Sequence, residues 1–99
     1  MEKRKAHYPL GTVRELIGER RVRFTKIAVT GGAAMGFDTE EMLSVVSSLT
    51  NRNLYKSMTS HADHTVWHDV YHVTARRRLV YLKLTIVEDL LIVSFKEKD

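Results

Sequence analysis

The spacing of apolar and polar positions divides the chain into a helical first half and a β-rich second half. Leu10, Val13, Leu16 and Ile17 recur at helical spacing and predict a short amphipathic helix over 10–18, stopped by Gly18. Residues 20–24 read as a brief extended link. A second helix is expected from Thr25, a suitable N-cap. Gly31 and Gly32 weaken its middle by about 1 kcal/mol each relative to alanine, and Gly36 ends it. Asp38 followed by Glu41 is a capping-box pattern, and Met42, Val45, Val46 and Leu49 then form one apolar stripe, so a third helix begins there. Beyond Thr50 the composition changes. Residues 54–59, 65–73, 79–87 and 90–96 are rich in Val, Ile, Tyr, Trp and Thr, with polar turn segments between them. Helices first and strands after read as α+β. The expectation is one domain over residues 1–99, with three N-terminal helices packed on one face of a C-terminal antiparallel sheet.

The period of two registers the last strands. Val80, Leu82, Leu84 and Ile86 fall on one face, and Tyr81, Lys83 and Thr85 on the other. A two-residue turn at Glu88-Asp89 sets Ile86 against Leu91, Leu84 against Val93 and Leu82 against Phe95. Tyr81 then lies opposite Lys96, with Cβ atoms about 5 Å apart. A four-residue loop at 75–78 pairs Thr74 with Leu79, Val73 with Val80, Tyr71 with Leu82 and Trp67 with Ile86, with Asp69 an awkward companion on that apolar face. It sets His72 opposite Tyr81 and His68 opposite Thr85. His68, His72, Tyr81, Lys83 and Lys96 therefore share one polar face. Lys56 and Met58 join them if the strand at 54–59 turns its even positions that way, a register the sequence leaves open.

Charge sharpens the picture. Sixteen Lys and Arg against 12 Asp and Glu give +4 and a basic chain, which favours an anionic partner, nucleic acid first. The basic segments 3–5, 20–23 and 76–78 are candidate phosphate contacts or solvated turns. No cysteine is present, which excludes disulfides, thiolate metal sites and a cysteine nucleophile. The positively charged start is not followed by an apolar stretch, and no run approaches a membrane span, so a cytoplasmic chain with no membrane contact is expected. His61, His64, His68 and His72 recur every three or four residues. On a strand, residues four apart lie roughly 13 Å from each other, too far for one ion, so no metal site is expected.

The polar face holds what RNA self-cleavage needs. A 2′-OH attacks the adjacent phosphorus when a base takes its proton, an acid protonates the departing 5′-oxygen, and cations stabilise the phosphorane. Histidine titrates near working pH, lysine supplies positive charge and tyrosine can donate a proton. The 2′-OH requirement selects RNA over DNA. Two other classes stay open on residues alone: a non-catalytic RNA-binding or co-regulator module, and a metal-dependent hydrolase.

The opening Met1-Glu2-Lys3-Arg4, the segments 54–59 and 63–71, the run Val80-Tyr81-Leu82-Lys83 and the ending 91–98 resemble the MqsR toxin family over nearly the whole chain. The resemblance implies a RelE-like fold and the toxin of a type II toxin–antitoxin system. It implies a ribosome-independent mRNA endonuclease that prefers GC-containing sites and arrests growth. It also implies a cognate MqsA-like, zinc-containing, DNA-binding antitoxin, so that the toxin meets DNA only indirectly. Lys56, Tyr81 and Lys96 match functional positions of that family. His68 stands where the family commonly has glutamine, and His72 where it has arginine. The arginine's loss weakens phosphate binding unless His72 is protonated, and the arginines at 76–78 are candidates to compensate. The expected catalytic set is Lys56, His68, Tyr81 and Lys96. Tyr55, Met58, His72, Lys83 and His7 are the expected substrate-binding positions. The expected reaction needs no cofactor and leaves a 2′,3′-cyclic phosphate and a 5′-hydroxyl.

Overall fold

A computed structural model of the chain describes all of residues 1–99. In chain order the elements are β1 (Glu2–Lys3), α1 (Leu10–Gly18), β2 (Val22–Phe24), α2 (Lys26–Ala34), α3 (Thr39–Ser47), a 3₁₀ turn (Asn51–Asn53), β3 (Leu54–Thr59), β4 (Trp67–Ala75), β5 (Arg78–Val87) and β6 (Asp89–Glu97). None of the helices is long and apolar enough to cross a membrane.

The helix ends follow local chemistry. The Asp38 carboxylate accepts the Glu41 N–H at 2.8 Å, and the Glu41 carboxylate accepts the Asp38 N–H at 2.9 Å, completing the capping box of α3. Thr25 caps α2 by accepting the Ala28 N–H at 3.0 Å. Such a cap stabilises a helix by about 1 kcal/mol. The two glycines inside α2 reflect packing. A Cβ at Gly31 would collide with the Phe95 carbonyl oxygen, and one at Gly32 with the Met42 sulfur. Their low helix propensity is offset by close approach of α2 to β6 and α3.

The sheet has six strands in the order β1-β3-β4-β5-β6-β2. All neighbours are antiparallel except β2 and β6, which run parallel. Both edge strands come from the first half of the chain, which corrects the expectation of a purely C-terminal, antiparallel sheet. The segment read as an extended link is β2, and β1 has no apolar alternation to announce it.

The β4–β5 register is the expected one, from Asp69 opposite Leu84 to Ala75 opposite Arg78. Its turn is shorter than expected, because only Arg76 and Arg77 lie outside the ladder. Both adopt left-handed backbone, φ +53° and +65°, the twist a two-residue hairpin needs.

The β5–β6 register is half as expected. Tyr81 opposite Lys96 and Leu82 opposite Phe95 hold, but beyond Lys83 the pairing shifts by one. Leu84 faces Ile92 rather than Val93, and Ile86 faces Leu90 rather than Leu91. Leu90 and Ile92 are fully buried, whereas Leu91 and Val93 are partly exposed. A β-bulge at Val93 absorbs the extra residue, and the turn tightens onto Glu88 alone, at φ +66°. The Thr25 hydroxyl donates to the Val93 carbonyl at 2.7 Å, and the Thr25 N–H to the Ile92 carbonyl at 3.1 Å, so the start of α2 pins the bulge.

One core cluster joins Leu10, Val13 and Leu16 of α1, Ala28 of α2, and Met42, Val45 and Val46 of α3 to Tyr71, Val73, Val80, Leu82, Leu84, Leu90, Ile92 and Phe95 of the sheet. Asp69 shares a sheet face with Tyr71 yet is fully buried. The N-terminal arm supplies its partners. The His7 N–H lies 3.0 and 3.1 Å from its two oxygens, and the Tyr8 N–H 2.9 Å from one of them. Buried carboxylates need such donors.

Candidate active site

Alternation on β3 to β6 lays the polar face out in three rows. Register fixes each row, and adjacent rows are two residues, about 6.6 Å, apart along the strands. The first row runs Tyr55, His72, Tyr81, Lys96; the second Lys56, Val70, Lys83, Ser94; the third Met58, His68. The register left open by the sequence is therefore the one that brings Lys56 and Met58 to this face. A bulge between Leu54 and Lys56 adds Tyr55. The Tyr55 ring stacks on His72 with centroids 4.4 Å apart and planes 17° apart.

The first row walls an open cleft of about 710 Å³, lined by Tyr55, His72, Tyr81 and Lys96 with the chain end at 97–99. The His72 ring lies 5.9 Å from that of Tyr81, and the Lys96 ammonium 5.3 Å from the Tyr81 centroid. The Lys56 ammonium lies 5.4 Å from the Tyr55 centroid. Met58, His61, His68 and Lys83 line a second, smaller cleft of about 270 Å³. His68 is thus separated from the His72–Tyr81 row by the whole second row. It lies with Met58 and Lys83 and apart from His72, Tyr81 and Lys96.

His7 lies elsewhere. Its ring stacks on Trp67 at 5.2 Å and its Nδ1 is 3.0 Å from the Lys3 ammonium. Trp67 alternates with His68, so His7 sits on the Asp69 side of the sheet and not with Lys56, Tyr81 and Lys96.

The electrostatics separate the titrating groups. Burial, then the Lys83 charge, holds His68 below the ordinary histidine value. Burial, then Lys98, does the same to His72. Both shifts favour the uncharged imidazole. Burial raises the Tyr81 phenol, with Lys56 acting against it. Burial, then Lys96 and Lys56, lowers Lys83. Three ammonium groups crowd one face, and only Lys56 has a carboxylate partner, Glu2 at 2.9 Å.

Most of the basic segments are occupied by structure. Arg20 pairs with Glu40 and Arg21 with Asp89, each at 3.0 Å. Arg76 binds Glu41 and donates to the Gly36 carbonyl at 3.0 Å, while its guanidinium covers the Phe37 ring. Arg78 pairs with Glu97 at 2.9 Å. These contacts tie the β4–β5 hairpin to α3 and to β6, while Arg77 makes no ion pair.

Two residues of the N-terminal arm reach this face, Glu2, which the sequence did not single out, and Arg4, which it offered only as part of a basic segment. Glu2 touches Lys56, and Arg4 donates to the Tyr55 carbonyl at 3.2 Å with its guanidinium 5.7 Å from the Tyr55 centroid. In the sequence the segment Lys3-Arg4-Lys5 reads as a candidate phosphate contact or a solvated tail, and only the pairing of β1 with β3 reveals where it lies. No three His, Cys, Asp or Glu side chains come together in a metal-binding arrangement.

The sequence is 44% identical, over 99% of the chain and the whole length of the relative, to the mRNA interferase toxin MqsR of Escherichia coli strain K12. The family described as motility quorum-sensing regulator, toxin of MqsA, matches residues 5–97. The chain belongs to that MqsR toxin family.

Proposed function

We propose that this chain is a toxin endoribonuclease that cuts mRNA by attack of a ribose 2′-OH on the adjacent phosphate, without a metal. One observation carries the reading: Lys56, Lys83 and Lys96 crowd one sheet face beside a protonated tyrosine, and of the three only Lys56 is paired with a carboxylate. An RNA phosphate is the anion that such a cluster accommodates.

The three rows suggest three roles. The scissile phosphate lies over the second row, between Lys56 and Lys83. The attacking ribose extends toward His68, and the departing 5′-oxygen toward Tyr81 and Lys96. His68, neutral at pH 7, takes the 2′ proton as the 2′-oxygen bonds to phosphorus. Tyr81, whose raised pKa keeps its proton in place, donates to the 5′-oxygen as the bond from phosphorus to that oxygen breaks. Lys56, Lys83 and Lys96 offset the charge on the phosphorane. The products are a 2′,3′-cyclic phosphate and a 5′-hydroxyl. Tyr55, stacked on His72, and Met58 offer flat or soft apolar surfaces for bases.

The finer expectations are part of the same reading. The architecture is RelE-like with the helices against one sheet face, supported by the shared core of helices and sheet. The enzyme acts on free mRNA at GC-containing sites in the cytoplasm and arrests growth. Its partner is an MqsA-like, zinc-containing antitoxin, through which alone it meets DNA. Incubating the purified chain with RNA and with DNA of the same sequence, in EDTA, tests the reading. Cleavage of RNA alone supports it. Retention of RNA without cleavage, or cleavage that EDTA abolishes, overturns it.

A further inference from the structure

β1 places Glu2 opposite Met58 and Lys3 opposite Ser57. Glu2 therefore shares the face of Met58 and Lys56, and its carboxylate lies 2.9 Å from the Lys56 ammonium. Lys3 falls on the other face, where its ammonium reaches His7 and sits 4.3 Å from the Trp67 centroid. The arm is held along its length. The Thr59 N–H donates to the Met1 carbonyl at 3.0 Å, Arg4 donates to the Tyr55 carbonyl, and buried Asp69 accepts the N–H groups of His7 and Tyr8. The Glu2 carboxylate is thus delivered to a fixed place.

Direction separates holding from blocking. In the strand order β1-β3-β4-β5-β6, Glu2 reaches Lys56 from the sheet edge, whereas Lys83 and Lys96 lie on its other side, toward the sheet centre. An ammonium carries three donors, so one can stay on the carboxylate while others meet a phosphate. A free lysine side chain has four rotatable bonds and would lose that freedom on binding. The charges agree with the geometry: the hydrogen bond and charge of Lys56 lower Glu2, and Glu2 raises Lys56 against its burial.

We propose that Glu2 is a positioning residue of the active site, holding the Lys56 ammonium toward the scissile phosphate. This rests on the reading above, in which Lys56 meets that phosphate. Glu2 acts only through Lys56, so a double-mutant cycle isolates its contribution.

The test compares wild type, Glu2→Gln, Lys56→Gln and the double variant, with kcat and KM measured separately on one RNA oligonucleotide and melting temperatures in parallel. Glu2→Gln is expected to lower kcat about tenfold, in the range for contacting residues that share an ion pair, with KM and melting temperature little changed. Added to Lys56→Gln, it has no further effect, and Glu2→Asp recovers part of the rate. An unchanged or raised kcat/KM in Glu2→Gln, with Lys56→Gln inactive, overturns the proposal alone. The same tenfold loss in both backgrounds also overturns it. Full activity of Lys56→Gln overturns the reading of Lys56 together with the proposal.

Discussion

Lys96 stands directly opposite Tyr81 across β5 and β6, with its ammonium 5.3 Å from the centre of the phenol ring. The pair joins a half-buried phenol to a positive charge on two adjacent strands of the sheet. In the proposed reaction Tyr81 protonates the leaving oxygen. Tyr81→Phe keeps the ring and removes the proton, so it should lower kcat by roughly 10²–10³ with little change in melting temperature. Single-turnover cleavage assays check this; a full rate in Tyr81→Phe would exclude Tyr81 as the donor.

In the same proposed reaction His68 accepts a proton, and its pKa shift is opposite to that of Tyr81. Burial and Lys83 favour its neutral form, so the base is present above a pKa that lies below 6.5 and is lost as pH falls through it. The pH profile of kcat/KM should therefore rise across that acidic limb and level off by neutrality. His68→Gln should slow the enzyme and abolish the limb, because an amide does not titrate there. An unchanged profile would remove His68 from proton transfer and leave it a hydrogen-bonding role.

The polar row of the sheet was legible because alternation on β5 is clean and on β4 only Asp69 breaks its apolar side. His72, Tyr81 and Lys96 align in one row from period two and the assumed turn lengths, and the observed pairings agree, at Lys96 because the bulge at Val93 offsets a turn one residue shorter than assumed. The sequence is silent where alternation fails. Leu90, Leu91, Ile92 and Val93 are all apolar, so nothing local marks the bulge at Val93, which is pinned by Thr25 from a distant part of the chain. Glu2 is hidden for the same reason. A two-residue edge strand has no periodicity, and its position depends on long-range pairing with β3 and on Asp69. Asp69, the odd member of an apolar face, was the visible sign of a missing partner.

That partner carries stability. Asp69→Ala leaves the N–H groups of His7 and Tyr8 without their acceptor beside the core. The variant should unfold with about 3 kcal/mol less free energy. Denaturant melts measure the loss, and hydrogen exchange should speed up first at His7 and Tyr8. Wild-type stability with unchanged exchange at those amides would show that Asp69 does not anchor the arm.

The β4–β5 turn carries strain that can be relieved. Arg77 holds φ at +65°, a conformation glycine adopts without a Cβ clash, and it makes no ion pair. Arg77→Gly should stabilise the protein by about 1 kcal/mol, which for a chain of this size raises the melting temperature by roughly 4–8 °C. Arg76 shares the strained backbone but binds Glu41 and Gly36, so Arg76→Gly should gain less or nothing. Equal gains at both positions would mean that the Arg76 contacts contribute no stability.

The central claim is that the polar sheet face cuts RNA through the substrate's own 2′-OH. Its most direct test is an oligoribonucleotide with a single 2′-deoxy sugar at the nucleotide 5′ to the cleavage site. The all-ribose strand should be cut in EDTA to a 2′,3′-cyclic phosphate and a 5′-hydroxyl, while the deoxy-substituted strand is bound but left intact at that bond. Cleavage of the deoxy-substituted bond at the all-ribose rate would contradict the account.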